Sequence, residues 1–396
     1  MIRAALTCNI PISSSGIGDE DGLKDLLAEC LRIANVEAPG QLKDLIDDED
    51  GDLPVVESEE VVVICPMKLG YSMFDSAKVM DVLFDLGVAG VDCRSEFSLV
   101  SIGMQQDNCI VLDIGESAMT AVAIEEGIRL PETLTTSPVG GQHLTAMLWF
   151  LLSAAHLESE ERSQFSQQMK RRQLLIAKEG KEKMCFVAED YDQACEHWGS
   201  VTLPDPTKGK KGRLVQFDRL EGSKDIKHEM TFKIPSLGDL TMEMDVERFV
   251  AVEGLFDPTM LRAISGERGM NDGPMREGEE DEERPHDGYS IQELIELVHS
   301  SLSPDQQDTI GKTIVLAGKT SLLHNLPARL ETELGHLGIE VDQILVAESD
   351  EEVDGFSFSS GPFRGVCCRA IHGALDSVVT HDCYTEVGDD VFHSIL

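Results

Sequence analysis

The chain has 396 residues, and 73 Asp and Glu against 33 Lys and Arg give it a formal net charge of −40. That charge repels phosphate backbones and anionic lipid, which excludes binding to nucleic acid or a membrane through the whole surface and favours basic proteins as partners. Apolar residues make up 41% of the chain, enough for a sizeable core, and the length suggests about two or three domains.

Ten cysteines include no CxxC pair, and several, such as Cys65, Cys367 and Cys368, sit in apolar runs where a thiol behaves as a small hydrophobe. Neither a disulfide framework nor a zinc cluster is readable, which points to a reducing compartment, cytosol or nucleus. The N-terminal apolar stretch is broken by Asn9 and Pro11 and does not read as a signal peptide. The strongest apolar run, 144–157, is about 14 residues long, short of the roughly 20 that span a bilayer.

Leu23, Leu26, Leu27, Cys30 and Ile33 are spaced for a helix over 21–33. An acidic loop follows at 40–60. The β-branched run 60–65, closed by Pro66, predicts a strand buried on both faces. Asp75 stands where it caps a helix over 76–86 that Gly87 stops, ahead of a strand at 88–93 and a short helix at 95–102. Residues 109–114 and 120–124 read as strands joined by a tight turn through Gly115, with a second turn at Glu125-Glu126-Gly127. An apolar helix at 142–156 precedes a charged helix over 161–190 carrying Lys170, Arg171 and Arg172. A basic loop (Lys208, Lys210, Lys211, Arg213) leads into a β-rich stretch over 213–256. The acidic insert 266–289 has a charge density that predicts disorder. Further along are an amphipathic helix at 290–302, a buried strand at 313–317, a helix at 326–335, a strand at 341–346, an acidic loop at 348–354 and a helix at 366–378.

Most candidate sites read as ordinary structure. Gly318-Lys319-Thr320 follows a strand, but a P-loop needs a glycine where Thr313 stands, so a strand-to-helix turn is expected. Asp48, Asp50, Gly51 and Glu57 have calcium-loop spacing, but Ile46 at the first position offers no side-chain oxygen, which leaves a solvated acidic loop. The eleven histidines are scattered, and no nucleophile with its base can be argued from spacing. The strand–turn–strand at 109–127 is more specific, with Asp113 ending one strand and Gly115 in the turn.

Several blocks in order carry a resemblance. Ile110-Val-Leu-Asp113-Ile-Gly115, Thr120-Ala-Val and Glu126-Gly127 resemble the second phosphate loop of actin, and Pro138-Val-Gly140-Gly141-Gln-His-Leu144-Thr145 resembles the segment after it. The run 176–190, with Lys181-Glu182-Lys183, is similar to the stretch whose Lys-Glu pair borders the adenosine. Val246-Glu247-Arg248-Phe249 and Gly254-Leu255-Phe256-Asp257-Pro258 resemble the family's NERF and LF-x-P signatures, and 314–320 stands where the family has its Gly-Gly-Thr adenine loop. The chain is identified as a member of the actin superfamily. The resemblance implies an α/β, actin/sugar-kinase-type (RNase H-like) fold. It implies a reduced first half over 1–103, an intact second half over 104–347, and a segment 348–396 returning to the first half. It also implies ATP or ADP with Mg2+ at Asp113, Gly115, Glu116, Gly141, Lys181, Glu182, Gly318 and Thr320. In such folds the hairpin Asp, here Asp113, holds the magnesium hydration shell, and the glycine lets backbone approach the phosphates.

The departures shape the functional expectation. Nothing in residues 1–60 resembles the family's first phosphate loop, Asp-x-Gly-[Ser/Thr]-Gly. Arg94 stands at the position of the water-orienting glutamine, and a guanidinium donates hydrogen bonds but accepts none. Glu116 and Ser117 replace an Asp and a Gly, Thr120 replaces a histidine near the hydrolytic water, and Lys319 replaces the second adenine-loop glycine. Without one loop, about half of the charge-assisted hydrogen bonds to phosphate are lost, each worth roughly 1.5–3 kcal/mol. The expectation is weak or no ATP binding and no significant hydrolysis.

Divergent, poorly hydrolysing actin-related proteins are typical of chromatin-remodelling complexes, and the blocks from Cys109 to Trp149 look most like the nuclear actin-related protein eight group. The resemblance therefore implies a non-catalytic scaffold subunit in the nucleus, docked on a helix of a remodelling ATPase. The acidic stretches 44–60, 277–283 and 348–354 are compatible with basic histone tails, although solvated solubility loops are the simpler reading of any single run. Filaments, direct nucleic-acid contact and membranes are not expected. The alternative is an ATP-binding cytoskeletal actin-like protein, cytoplasmic, with a truncated or diverged N-terminus. A sugar kinase needs a catalytic Asp in the first half, and none is credible. Strands 60–65 and 88–93 are expected to lack their usual antiparallel neighbours, leaving an edge for residues 1–20 or a partner strand to cover.

Overall fold

The computed structural model describes residues 24, 27, 36–37, 56–57, 62–67, 73–156, 175–204, 215–234, 238–265, 288–347, 352–353, 356–357, 362, 378–380 and 383. They fall into two compact units, the first from 1–108, 124–129 and 350–396, the second from 109–123 and 130–349.

In the first unit β1 (Val36–Glu37) and β2 (Val56–Glu57) pair in parallel. Next come β3 (Val62–Met67), α1 (Met73–Asp85), β4 (Gly90–Ser95) and α2 (Glu96–Gly103). β3 and β4 are parallel, in register from Val62 opposite Gly90 to Met67 opposite Ser95. β3 runs on through Pro66 instead of ending there. It is an edge strand among the described residues, where a missing N–H costs no ladder bond. α1 starts at Met73, so Asp75 lies inside the first turn and is not the cap. Its end is the one expected: Gly87 takes φ 80°, and the N–H groups of Val88 and Gly87 donate to the Leu83 and Phe84 carbonyls at 3.3 and 2.9 Å. That left-handed closure satisfies carbonyls the helix leaves open and needs a residue without Cβ. Of the expected helix at 21–33, Lys24 and Leu27 are described, both helical, with Leu27 buried and Lys24 paired to Asp85 at 3.1 Å.

The second unit is a sheet covered by helices. β5 (Cys109–Ile114) leads through a turn into β6 (Met119–Glu125). The tail of β6 and β7 (Ile128–Arg129) form a tight hairpin, grouped with the first unit, whose Glu126 and Gly127 have φ 51° and 75°. Both left-handed positions match the twist of a two-residue turn. β8 (Thr135–Ser137) pairs with β6, and α3 (Gly141–His156) follows. The expected charged helix is described as α4 over 175–184, and 185–190 is not helical. Then come α5 (Tyr191–Trp198), β9 (Gly199–Thr202), β10 (Gln216–Arg219), β11 (His228–Ile234) and β12 (Gly238–Met244). The stretch read as strand up to 256 instead ends in α6 (Glu247–Val250) and a 3-10 turn, Glu253–Leu255. After α7 (Arg262–Ser265), α8 (Ile291–Ser301) opens on a capping box of Ser290 and Glu293, and α9 (Pro304–Thr309) on one of Ser303 and Gln306. β13 (Thr313–Ala317), α10 (Leu326–His336) and β14 (Gln343–Val346) complete the unit.

The sheet order is β14-β13-β5-β6, with β13 parallel to both β14 and β5. β5 and β13 are buried along their length apart from Asp113, which explains their continuous apolar sequences. Leu144, Met147, Leu148, Leu151 and Leu152 of α3, the inner face of α8 and that of α10 fill one core with the sheet.

Returning to the first unit, β15 (Glu352–Val353) and β16 (Phe356–Ser357) form a small antiparallel pair, and β17 (Val379–Thr380) pairs antiparallel with Val91 and Gly90 of β4. The expectation that this strand lacks an antiparallel neighbour is therefore corrected: Val379–Thr380 of the same chain supplies one. The expected helix at 366–378 except for Val378, which is not helical, the basic residues at 170–172 and 208–213, and most of the acidic stretches at 40–60, 266–289 and 348–354 lie outside the described residues. Among the described residues no helix is long and apolar enough to cross a membrane.

Candidate functional site

Three backbone turns of the second unit meet. The first is the β5–β6 turn, closed by the Gly115 N–H donating to the Ala118 carbonyl at 3.0 Å. The second is the start of α3, whose Gly141 and Gln142 N–H groups donate to the Gly115 and Glu116 carbonyls at 2.9 and 2.8 Å. The third is the turn after β13, which begins at Gly318 with φ 81°.

Glycine is required where these turns touch. A Cβ on Gly140 would lie 2.7 Å from the Ala118 nitrogen and the Glu116 carbonyl oxygen. One on Gly318 would lie 2.6 Å from Asp113 Oδ1 and 2.5 Å from the Ile114 carbonyl oxygen. One on Gly141 would lie 2.7 Å from Thr320 Oγ1, 2.9 Å from Lys181 Nζ and 3.2 Å from Glu116 Oε2. Seven of the eight residues singled out by sequence, Asp113, Gly115, Glu116, Gly141, Lys181, Gly318 and Thr320, thus stand at one junction. Glu182 is exposed, and its part is electrostatic.

Lys181 is the polar centre of this junction. Its side chain comes from α4, is buried, and donates to the Gly141 carbonyl at 2.8 Å. Burial pushes its ammonium below the ordinary value, while the Glu116 and Glu182 carboxylates pull it back up. Lys178, one turn earlier, reaches Glu116 at 3.9 Å. Ser321, in the turn after β13, is also buried, and its Oγ has no hydrogen-bond partner among the described residues.

The matched family model, described as Actin, spans residues 76–394. The chain belongs to the actin family. Its fold is accordingly the α/β actin/sugar-kinase type. It is similar to actin-related protein 6 of Drosophila melanogaster, 31% identical over 166 residues, 39% of this chain and 36% of that protein. It is similar to actin-related protein 2 of Oryza sativa subsp. indica, 25% identical over 276 residues, 69% of this chain and 55% of that protein. It is 23% identical to centractin of Schizosaccharomyces pombe over 244 residues, 62% of this chain and 49% of that protein. The chain spans about half the length of the relatives it matches, or less.

Actin-fold proteins typically bind ATP or ADP with Mg2+, and the junction fits such a group. A buried ammonium has three donors, and Lys181 commits one to Gly141. Its other donors, and the Ser321 hydroxyl without a partner among the described residues, are what the second unit offers an acceptor-rich ligand. Were such a group bound, Asp113 would be the residue for the metal side and Lys181 and Thr320 would offer polar atoms, while the Gly115 and Gly141 N–H groups are already given to protein carbonyls. Bound magnesium would neutralise phosphate charge.

The departing residues are placed as follows. Arg94 on β4 donates through Nε to Asp92 Oδ1 at 3.2 Å, two residues back on the same face, and Asp92 is buried. Thr120 is buried on β6 opposite Thr136 of β8. Ser117 and Lys319 are exposed.

The family signatures at 246–258 build a charged shelf that sequence reasoning did not foresee. Glu247 is fully buried, accepts from Arg219 Nη2 and from the Asp245 N–H, and Arg219 Nε reaches both Asp245 oxygens at 2.8 Å. Arg248 donates to the Met184 and Ile226 carbonyls and lies 5.0 Å over the Phe186 ring. Arg329 of α10 reaches Glu253 at 3.1 Å, Glu333 at 2.6 Å and the Ala188 carbonyl at 3.0 Å. Burial pushes the Glu247 and Glu253 carboxyls up to about 7, against the pull of Arg219 and Arg329 respectively. Spacing along the chain does not signal these pairs, because their partners are 28 and 76 residues apart.

Proposed function

We propose that this chain is a non-catalytic actin-related scaffold subunit of a multiprotein complex, of the nuclear chromatin-remodelling kind, that binds nucleotide weakly and does not hydrolyse it. The observation that carries the reading is Arg94. It takes the place of the family's water-orienting glutamine, and its guanidinium is held by Asp92 on its own strand. A donor-only group cannot accept a hydrogen bond from an attacking water. Thr120, buried in a strand pair, supplies no imidazole in place of the family's histidine.

The junction of Asp113, Lys181 and Gly141 supports retention of an ATP or ADP contact with Mg2+, at reduced affinity. A charge of −40 favours basic partners, with histones and a helix of a remodelling ATPase the ones the family resemblance suggests, and the blocks from Cys109 to Trp149 resemble the actin-related protein eight group. The same charge opposes self-stacking into filaments, within the screening limit of about 8–10 Å. Titration of the purified chain with Mg-ATP, with Asp113→Ala as control, tests the nucleotide part. Weak binding that the control abolishes, with no steady-state turnover, is the expected result. Tight binding with sustained phosphate release overturns the reading, as does purification from nuclei free of any large complex.

A further inference from the structure

The turn that brings Gly140 against the hairpin is anchored by a histidine. The Gly140 N–H donates to His143 Nδ1 at 3.0 Å, and His143 is the third residue of α3. Gly140 has no slack: a Cβ there would strike backbone atoms of residues 115, 116 and 118 at 2.7–2.8 Å. The next two N–H groups, of Gly141 and Gln142, are spent on the hairpin carbonyls. His143 is therefore the acceptor that fixes the one N–H at this corner which the hairpin does not take. Only a neutral imidazole does this, because an imidazolium donates from both nitrogens and accepts from neither.

We propose that His143 is a proton-operated latch on this corner: neutral, it pins Gly140 against the β5–β6 turn, and protonated, it releases the start of α3 from that turn. The proposal concerns the backbone of the corner and does not depend on nucleotide binding. The charged residues at this end of α3 are Glu116 on the hairpin and Lys178, Lys181 and Glu182 on α4. The other elements packed against α3 carry Glu243 on β12, Glu247 and Arg248 on α6, Glu253 in the 3-10 turn and Arg262 on α7. None of these is among the causes acting on His143, and burial, the largest cause, holds it below its ordinary value of 6.5. Because the folded state disfavours the proton, the latch is closed at the ordinary value and above, and opens as pH falls through the lower folded-state value.

Amide hydrogen exchange of the full chain, read in peptides covering 139–145 and corrected for intrinsic pH dependence, tests the latch. Between about pH 7.5 and pH 5, protection there should fall about tenfold, the loss of one hydrogen bond to a buried donor, while peptides in β13 hold theirs. His143→Asn, whose side-chain oxygen accepts at any pH, should keep its protection across the range. An unchanged wild-type peptide, or an equal loss in His143→Asn, overturns the proposal. If the variant does not fold, the NMR titration of His143 in the wild type decides: a midpoint above 6.5 overturns it, and one below 6.5 that tracks the exchange supports it.

Discussion

The corner at Gly140–Gly141 and the shelf around Glu247, Glu253 and Arg329 are both polar regions of the second unit, built in opposite ways. At the corner, glycines let backbone meet backbone, and the side chains around them range from buried Lys181 to exposed Glu116. In the shelf, carboxylates are buried and each of three arginines is shared among two or more oxygens. The corner keeps its shape by sterics, so it tolerates the changes at Ser117 and Lys319. The shelf keeps its shape by charge compensation, and each partner depends on the others. Their pH responses run in opposite senses. His143 is held below its ordinary value and tightens the corner as pH rises, whereas Glu247 and Glu253, raised to about 7 because burial outweighs their arginines, contribute less to stability as pH rises through that value.

The largest effect that sharpens this contrast is Arg329→Met. It leaves Glu253 and Glu333 without their guanidinium, and breaking such a buried pair costs about 3–5 kcal/mol, read as a lower urea midpoint. A loss under about 1 kcal/mol would mean the shelf does not rely on charge compensation. Next is Gly318→Ala, where positive φ and contacts with Asp113 and Ile114 combine, for an expected loss of about 1–3 kcal/mol in thermal unfolding. A neutral result would break the steric account of the corner.

Glu253→Gln addresses the pH contrast. The folded carboxyl sits near 7 and the unfolded one near 4.5, so wild-type stability from this group is full below about 4.5 and declines as pH rises through 7. The variant should flatten that decline by about 1–3 kcal/mol between pH 5 and pH 8, measured by urea unfolding at each pH. An identical slope in both proteins would show that burial does not dominate at Glu253. The smallest effect belongs to Lys178→Met. Its 3.9 Å pair with Glu116 is largely exposed, and stability should change by less than about 0.5 kcal/mol.

Much of the corner was legible before any coordinates, because its chemistry is local. Asp113 and Gly115 lie in one turn, Gly140 and Gly141 in another, Gly318 and Thr320 in a third, and the blocks keep the family's order. Helix ends were legible for the same reason: Gly87 closes α1 by adopting a conformation that L side chains avoid. Helix starts were less so. Asp75 looks like a cap, yet α1 gains another half turn ahead of it. Pro66 looks like a strand end, yet an open edge tolerates it.

By itself the sequence determined the α/β class, the order of many of the described strands and helices, the membership in the actin family and the residues of the three turns. These follow from hydrophobic period, glycine placement and contiguous motifs, all of which act over a few residues. Only the tertiary structure decided that Val379–Thr380 lines β4, that Arg94 is taken up by Asp92, that His143 accepts from Gly140, and that Glu247 and Glu253 find arginines far along the chain. A buried charge or a strand edge is satisfied by whatever the fold brings within about 3 Å, and chain distance carries little information about that.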